Sequence, residues 1–365
     1  MPGATLTIDL DAIAANWHRL AGRMEDVECA AVVKADAYGL GLDQVAPALA
    51  SAGCRTFFVA LFEEAAALRR LLPDAAVYVL NGLDRGAEAD YAALGLRPVL
   101  NGLDDIAAWS AFARSRERAL PAALHLDTGM ARLGLPFAEA RVLAAEPGRL
   151  EGIDLRLVMS HLASADEPDH PDNARQLAGF RALRALFPQG KASLANSSGL
   201  FLGAGWRFDL GRPGAALYGV NPCPTQPNPM AQVVSLQGKI LQVRAIDSGE
   251  SVGYGATWRA SRPSRIATVA AGYGDGYLRS LSNSGFAWLG DIRVPVVGRV
   301  SMDLITLDAT DVPGALVHPG AAVELLGPQV SVDALAGAAG TIGYEILTAL
   351  GRRYRRVYIG GCAGT

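Results

Sequence analysis

Short apolar runs and longer amphipathic stretches alternate through the first two-thirds of the chain. The runs Val27–Val33, Thr56–Ala60, Val77–Leu80, Arg97–Leu100, Ala122–Asp127, Ile153–Ser160, Lys191–Asn196 and Ala215–Val220 are mostly apolar and end at turn residues. Such runs read as strands buried on both faces. Between them, Leu42–Ala52, Glu63–Leu71, Leu103–Ala113, Phe137–Ala145 and Asn173–Phe187 are amphipathic stretches of helical length. Strand–helix alternation implies a parallel sheet with helices outside, and eight units predict a closed (β/α)8 barrel of the TIM type. An open doubly wound sheet is the alternative, and the first unit lacks the GxGxxG of its dinucleotide-binding form. Ahead of the barrel, Thr5–Leu10 alternates as a strand. Asp9 or Asp11 caps the helix that follows, with Ile13, Trp17 and Leu20 on one face.

Near residue 221 the pattern changes. Asn221–Pro229 is a proline-rich linker. Beyond it come the short strands Val233–Val243, Ile266–Ala271, Phe286–Leu289, Arg293–Val297, Leu304–Leu307 and Ala322–Leu326, then a helix over Glu345–Leu350. The expected organisation is therefore an α/β barrel over residues 11–229 and a mostly-β domain over residues 230–365.

The 365 residues are half apolar and 19% charged, enough for a large core in two domains. Net charge is −3, without the basic stripe that nucleic-acid binding requires. No apolar run is long enough to span a bilayer, and Met1–Thr5 shows no charged-then-apolar leader. Cys29, Cys54, Cys223 and Cys362 are scattered without a CxxC pair, which suits a reducing cytoplasm and offers no zinc site.

Barrel chemistry gathers at the C-terminal ends of the strands. Lys34 closes the first run, Asp127–Arg132 follows the fifth, Ser160-His161 closes the sixth and Asn196–Gly199 the seventh. Arg212-Pro213-Gly214 stands ahead of the eighth. A lysine at a buried strand end is desolvated, which lowers its pKa and suits it to Schiff-base chemistry; a lysine snorkelling into water is the plainer alternative. Singly, each of the other residues has a structural use: Asp127 in a turn, the serines as caps, His161 as a satisfied structural ring. Together, a lysine, two arginines, a histidine and Ser/Gly turns suited to phosphate point to pyridoxal phosphate (PLP).

The chain resembles the PLP-dependent alanine racemases over nearly its whole length. The resemblance rests on Val33–Gly39, His125–Gly134, Ser160–Ala163, Asn196–Ser198, Arg212–Gly219, Val252–Trp258, Gly272–Tyr277, Gly298–Asp303 and Gly343–Glu345, all in family order. It implies an isomerase that interconverts L- and D-alanine with two bases, Lys34 on one face and Tyr254 of a second protomer on the other. It implies that Lys34 carries PLP and that Tyr38, Ser197, Gly214, Ala215 and Tyr344 hold its phosphate, beside Asn196. Arg132 faces the phenolic oxygen and Arg212 the pyridine nitrogen, with His161 behind. Tyr273, Met302, Asp303 and Tyr254, acting across a homodimer interface with Arg132, shape the substrate site. The first strand, within residues 1–10, is implied to join the β domain. Racemisation of another small amino acid such as serine, a basic amino-acid decarboxylase and a non-catalytic PLP barrel are the alternatives; the β domain, Tyr254 and Arg212 weigh against the last two. Biosynthetic supply of D-alanine for peptidoglycan and its catabolism both remain open. One departure stands out: His125 occupies a position where the family often has a lysine, sometimes carbamylated, that orients the arginine. A chloride or a neighbouring group is a candidate replacement, and a buried strand histidine with a satisfied ring is the structural alternative.

Overall fold

The structure, a computed structural model, describes residues 3–361. Met1, Pro2 and Cys362 lie outside the described residues, and the other three cysteines are free and buried. Strand β1 (Ala4–Asp9) leads directly into the helix Leu10–Met24. Asp9 accepts from Ala12 N at 2.9 Å, and Ile13, Trp17, Leu20 and Met24 are buried.

The barrel begins with β2 (Glu28–Cys29) and β3 (Ala31–Val32), the two halves of one short strand interrupted at Ala30. β4 (Thr56–Val59), β5 (Ala76–Val79), β6 (Arg97–Leu100), β7 (Leu120–His125), β8 (Ile153–Met159) and β9 (Lys191–Ser193) follow. β3 to β9 pair in chain order, all in parallel. Phe57, Phe58, Val59, Val99, Leu124 and Leu157 have no exposed surface, which explains the continuous apolar runs.

Closure corrects the sequence expectation. The eighth strand is β10, Leu210–Gly211, parallel to β2. Ala30 N donates to Gly211 O and Val32 N to Pro213 O, both at 2.9 Å. On the other side Asp209 N donates to Ala192 O and Arg212 N to Ala195 O, both at 3.0 Å. The expected strand Ala215–Val220 is instead a 3-10 turn over Ala215–Tyr218. Its residues are buried all round, so an apolar run there carries no period that separates turn from strand. Arg212 therefore follows the eighth strand rather than preceding it, and it reaches the same mouth as Lys34.

The second sheet contains β11 (Val234–Ile246), β14 (Ser264–Val269), β15 (Phe286–Leu289), β16 (Ile292–Pro295), β17 (Ile305–Asp308), β18 (Ala322–Leu326) and β19 (Arg355–Ile359), with the small hairpin β12 (Ser251–Val252) and β13 (Trp258–Arg259) beside it. β1 lies within this sheet, antiparallel to β11 and parallel to β19. Two helices not expected from the sequence, Glu88–Ala93 and Val332–Ala339, complete the packing. No helix among the described residues is long and apolar enough to cross a membrane.

Candidate active site

Lys34 opens a turn of unusual hand. Ala35 (φ 54°), Asp36 (55°), Ala37 (53°) and Tyr38 (55°) are all left-handed, with Gly39 (81°) after them. Ala37 N donates to Val33 O at 3.0 Å and Gly39 N to Ala35 O at 2.7 Å, so the stretch is one turn of left-handed helix. An L-residue there costs roughly 1–2 kcal/mol, so the surroundings must hold the turn in place. Glu64 accepts from Ala35 N at 2.6 Å, and Asp36 accepts from Leu42 N at 2.7 Å. From β19, Arg356 donates to Gly39 O at 2.7 Å and Tyr358 to Leu40 O at 2.9 Å. Burial and the Arg132 cation push the Lys34 pKa down, opposed by Glu64.

Tyr38, at the far end of this turn, stacks against Tyr218 with ring centres 4.8 Å apart and meets Tyr344 edge-on at 6.2 Å. Its hydroxyl crowds Gly214, where a Cβ would lie only 2.4 Å from it. Ser197 Oγ accepts from Gly214 N at 2.9 Å and Ala216 N at 3.2 Å. It thus braces the start of the 3-10 turn Ala215–Tyr218 instead of capping its own segment. The Ala215 N–H at that start has no acceptor among the described residues. Tyr38, Ser197, Gly214, Ala215 and Tyr344 are therefore linked through these contacts. Asn196 faces the opposite way, accepting from Gly199 N at 2.9 Å and donating to Leu162 O.

Arg212 is 3% exposed. Its Nη1 donates to Ser193 Oγ and its Nη2 to Ser160 O, while Nε has no partner among the described residues. Burial lowers its pKa to about 9, so it stays cationic at neutral pH. His161 and His125 are both held neutral. Burial comes first for each, then Arg212, and the Arg132 cation adds to it. His125 is lowered to about 4. Its Nδ1 lies 2.7 Å from Asn101 Oδ1, and Asn101 Nδ2 donates to Leu80 O at 3.1 Å. That second bond fixes the amide, so Nδ1 carries the proton. Arg132 ends the loop after β7, which Asp127 shapes by accepting from Gly129 N, Met130 N and Ala131 N at 2.9–3.2 Å.

The remaining expected residues stand apart on the β domain. Tyr254 is 71% exposed, Met302 54% and Tyr273 42%. Tyr273 N donates to Ser301 O at 3.0 Å and Gly274 N to Met302 O at 2.8 Å, which brings the two loops together. Arg353 then bridges Asp303 at 2.8 Å and Asp275 at 3.1 Å. Glu64, Asn101 and Ser193 hold the mouth together yet escape the sequence; only the position of Glu64 in the first turn of a helix signals an acceptor.

Two family models cover most of the chain: the alanine racemase N-terminal domain matches residues 8–222 and the C-terminal domain residues 233–358. The chain belongs to the alanine racemase family. An alanine racemase of Acidiphilium cryptum is 57% identical over 97% of this chain and 98% of its own. A catabolic alanine racemase of Mesorhizobium japonicum is 51% identical over 98% of this chain and 94% of its own. The crystal structure of alanine racemase from Bartonella henselae with covalently bound pyridoxal phosphate superposes with a TM-score of 0.95 at 43% identity, over 98% of this chain and all of that one. Relatives and fold agree over both the barrel and the second sheet.

Proposed function

We infer that this chain interconverts L- and D-alanine with PLP, as a cytoplasmic homodimer. The observation that carries the reading is Arg212, buried with two nitrogens tied back and Nε left without a partner among the described residues. The residues suit PLP on three counts. Lys34 supplies an amine of lowered pKa. The free Ala215 N–H at a turn start, where Gly214 leaves room beside Tyr38, suits a phosphate. Arg212 Nε suits a pyridine nitrogen that accepts.

When bound, PLP supplies the sink for the electron pair left at the α-carbon. Lys34 Nζ would hold the cofactor and, when free, would move a proton at one face of that carbon. The partner subunit's Tyr254 serves the other face. Tyr38, Ser197, Ala215 and Tyr344 anchor the phosphate, and Asn196 supports that anchor by fixing the Ser198–Phe201 turn. Arg132 would face the phenolic oxygen. Tyr273, Met302 and Asp303 close a small substrate pocket across the dimer. Among the described residues the Tyr254 hydroxyl has no hydrogen-bond partner, and its ring is exposed, which supports its use by a second copy.

The chain has three lysines, Lys34, Lys191 and Lys239, so borohydride fixation followed by peptide mapping locates the cofactor. Label on Lys34, and none in Lys34→Ala, is expected; label on either other lysine overturns the scheme. In deuterated water Tyr254→Phe is expected to slow proton removal from L-alanine by about 10²–10⁴-fold, more than removal from D-alanine. Equal rates to the parent in both directions take Tyr254 out of the reaction.

A further inference from the structure

We infer that Glu64 is a positioning residue for Lys34, with one carboxylate oxygen seating the helix after β4 and the other holding the backbone N–H beside the lysine. The inference rests on Lys34 being the PLP lysine. Glu64 is the third residue of the helix Phe62–Leu71. There its Oε2 accepts from Ala60 N at 2.8 Å and from Leu61 N at 3.1 Å. That is an ordinary helix cap, reinforced by the favourable placement of an anion at a helix start. It needs only one oxygen.

The second oxygen does something else. Oε1 accepts from Ala35 N at 2.6 Å, bridging the ends of the first two barrel strands at the mouth. Ala35 is the first left-handed residue of the turn. Asp36, Arg356 and Tyr358 fasten the turn from Asp36 onward, at Leu42, Gly39 and Leu40. Among the described residues no other side chain bonds to the backbone of Val33, Lys34 or Ala35. The strained stretch is thus clamped at both ends, and Glu64 is the clamp on the residue next to Lys34. The titratable groups facing Lys34 are Arg132 from the loop after β7, His161 after β8, which is neutral, and Glu64 from the helix after β4. Glu64 is the anion among them, so one group supplies both geometry and counter-charge.

Gln at position 64 keeps an oxygen for one of the two sets of N–H donors and places an amide donor against the other. The test compares the PLP-loaded parent with Lys34→Ala, Glu64→Gln and Glu64→Ala. It reads PLP dissociation by dialysis, the pH midpoint of the visible band, kcat and KM for alanine, and thermal stability. Glu64→Gln is expected to weaken PLP retention and lower kcat by about tenfold or more, with KM within about twofold. Its band midpoint is expected to shift to lower pH, because the anion that favours a protonated nitrogen is gone. Glu64→Ala shows the same changes with a further loss of thermal stability. If both variants keep PLP dissociation, band midpoint and kcat within about twofold of the parent while only stability falls, Glu64 is a helix cap and the inference fails. If borohydride fixes PLP to Lys191 or Lys239, the assignment of Lys34 itself fails, and the two failures are told apart.

Discussion

Arg212 separates two ways of handling charge on a pyridine ring. A guanidinium offers donors only, so in the proposed site a ring nitrogen facing Nε would be left to accept and to stay unprotonated. That would weaken the electron sink and shorten the life of the deprotonated substrate. Arg212→Glu is expected to lower racemisation and raise transamination, read as pyruvate formed per alanine turned over; an unchanged ratio removes this role. His125 carries a stability prediction. Its folded pKa is about 4 against about 6.5 unfolded, so the unfolded chain binds more protons between those values. Stability contributed by the neutral ring is complete above pH 6.5 and is lost as pH falls toward 4, by up to about 3 kcal/mol. His125→Gln is expected to flatten the fall of the unfolding midpoint in that window; an unchanged slope rejects it. Both residues are visible in the sequence as polar groups at strand ends. Their settings are not, because Ser193, Ser160 and Asn101 come from other strands and no spacing rule links them.

Among elements, the left-handed turn is the one that local propensity opposes most. Ala-Asp-Ala-Tyr contains no glycine, so nothing in the residue types announces positive φ. The hydrogen bonds that enforce it arrive from Glu64 and from β19, far away in sequence. Ala35 is exposed with φ 54°. Ala35→Gly is expected to stabilise the fold by about 0.5–1 kcal/mol, the relief of strain exceeding the added chain entropy. A denaturation midpoint at or below the parent's rejects that. The eighth strand was hidden for the opposite reason: two residues are too few to show any period, and the buried turn after it shows an apolar run instead. The runs β4 and β7 were legible because burial on both faces leaves a nearly unbroken apolar signal.

For the whole molecule, alternation and the proline-rich linker reveal a barrel followed by a β-rich segment. The pairing of β1 with β11 and β19 does not follow from periodicity, because register between distant strands is a tertiary property. Removing the residues after Tyr354 deletes β19 and with it Arg356 and Tyr358. The truncated chain is expected to lose PLP retention as well as stability, measured as bound PLP per folded chain. Full retention would show that the Lys34 turn does not need these two side chains.

The parallel pairing of β1 with β19 also bears on how the protein is made. At roughly 5–20 residues per second, a ribosome needs on the order of 20–70 s to pass from β1 to β19. Throughout that time β1 has emerged while its neighbour β19 has not been synthesised. β1 therefore waits for a strand made about 350 residues later, with an open edge that a chaperone is suited to shield. Because β19 also carries the two side chains that grip the turn after Lys34, that turn is fully held only after β19 has left the ribosome.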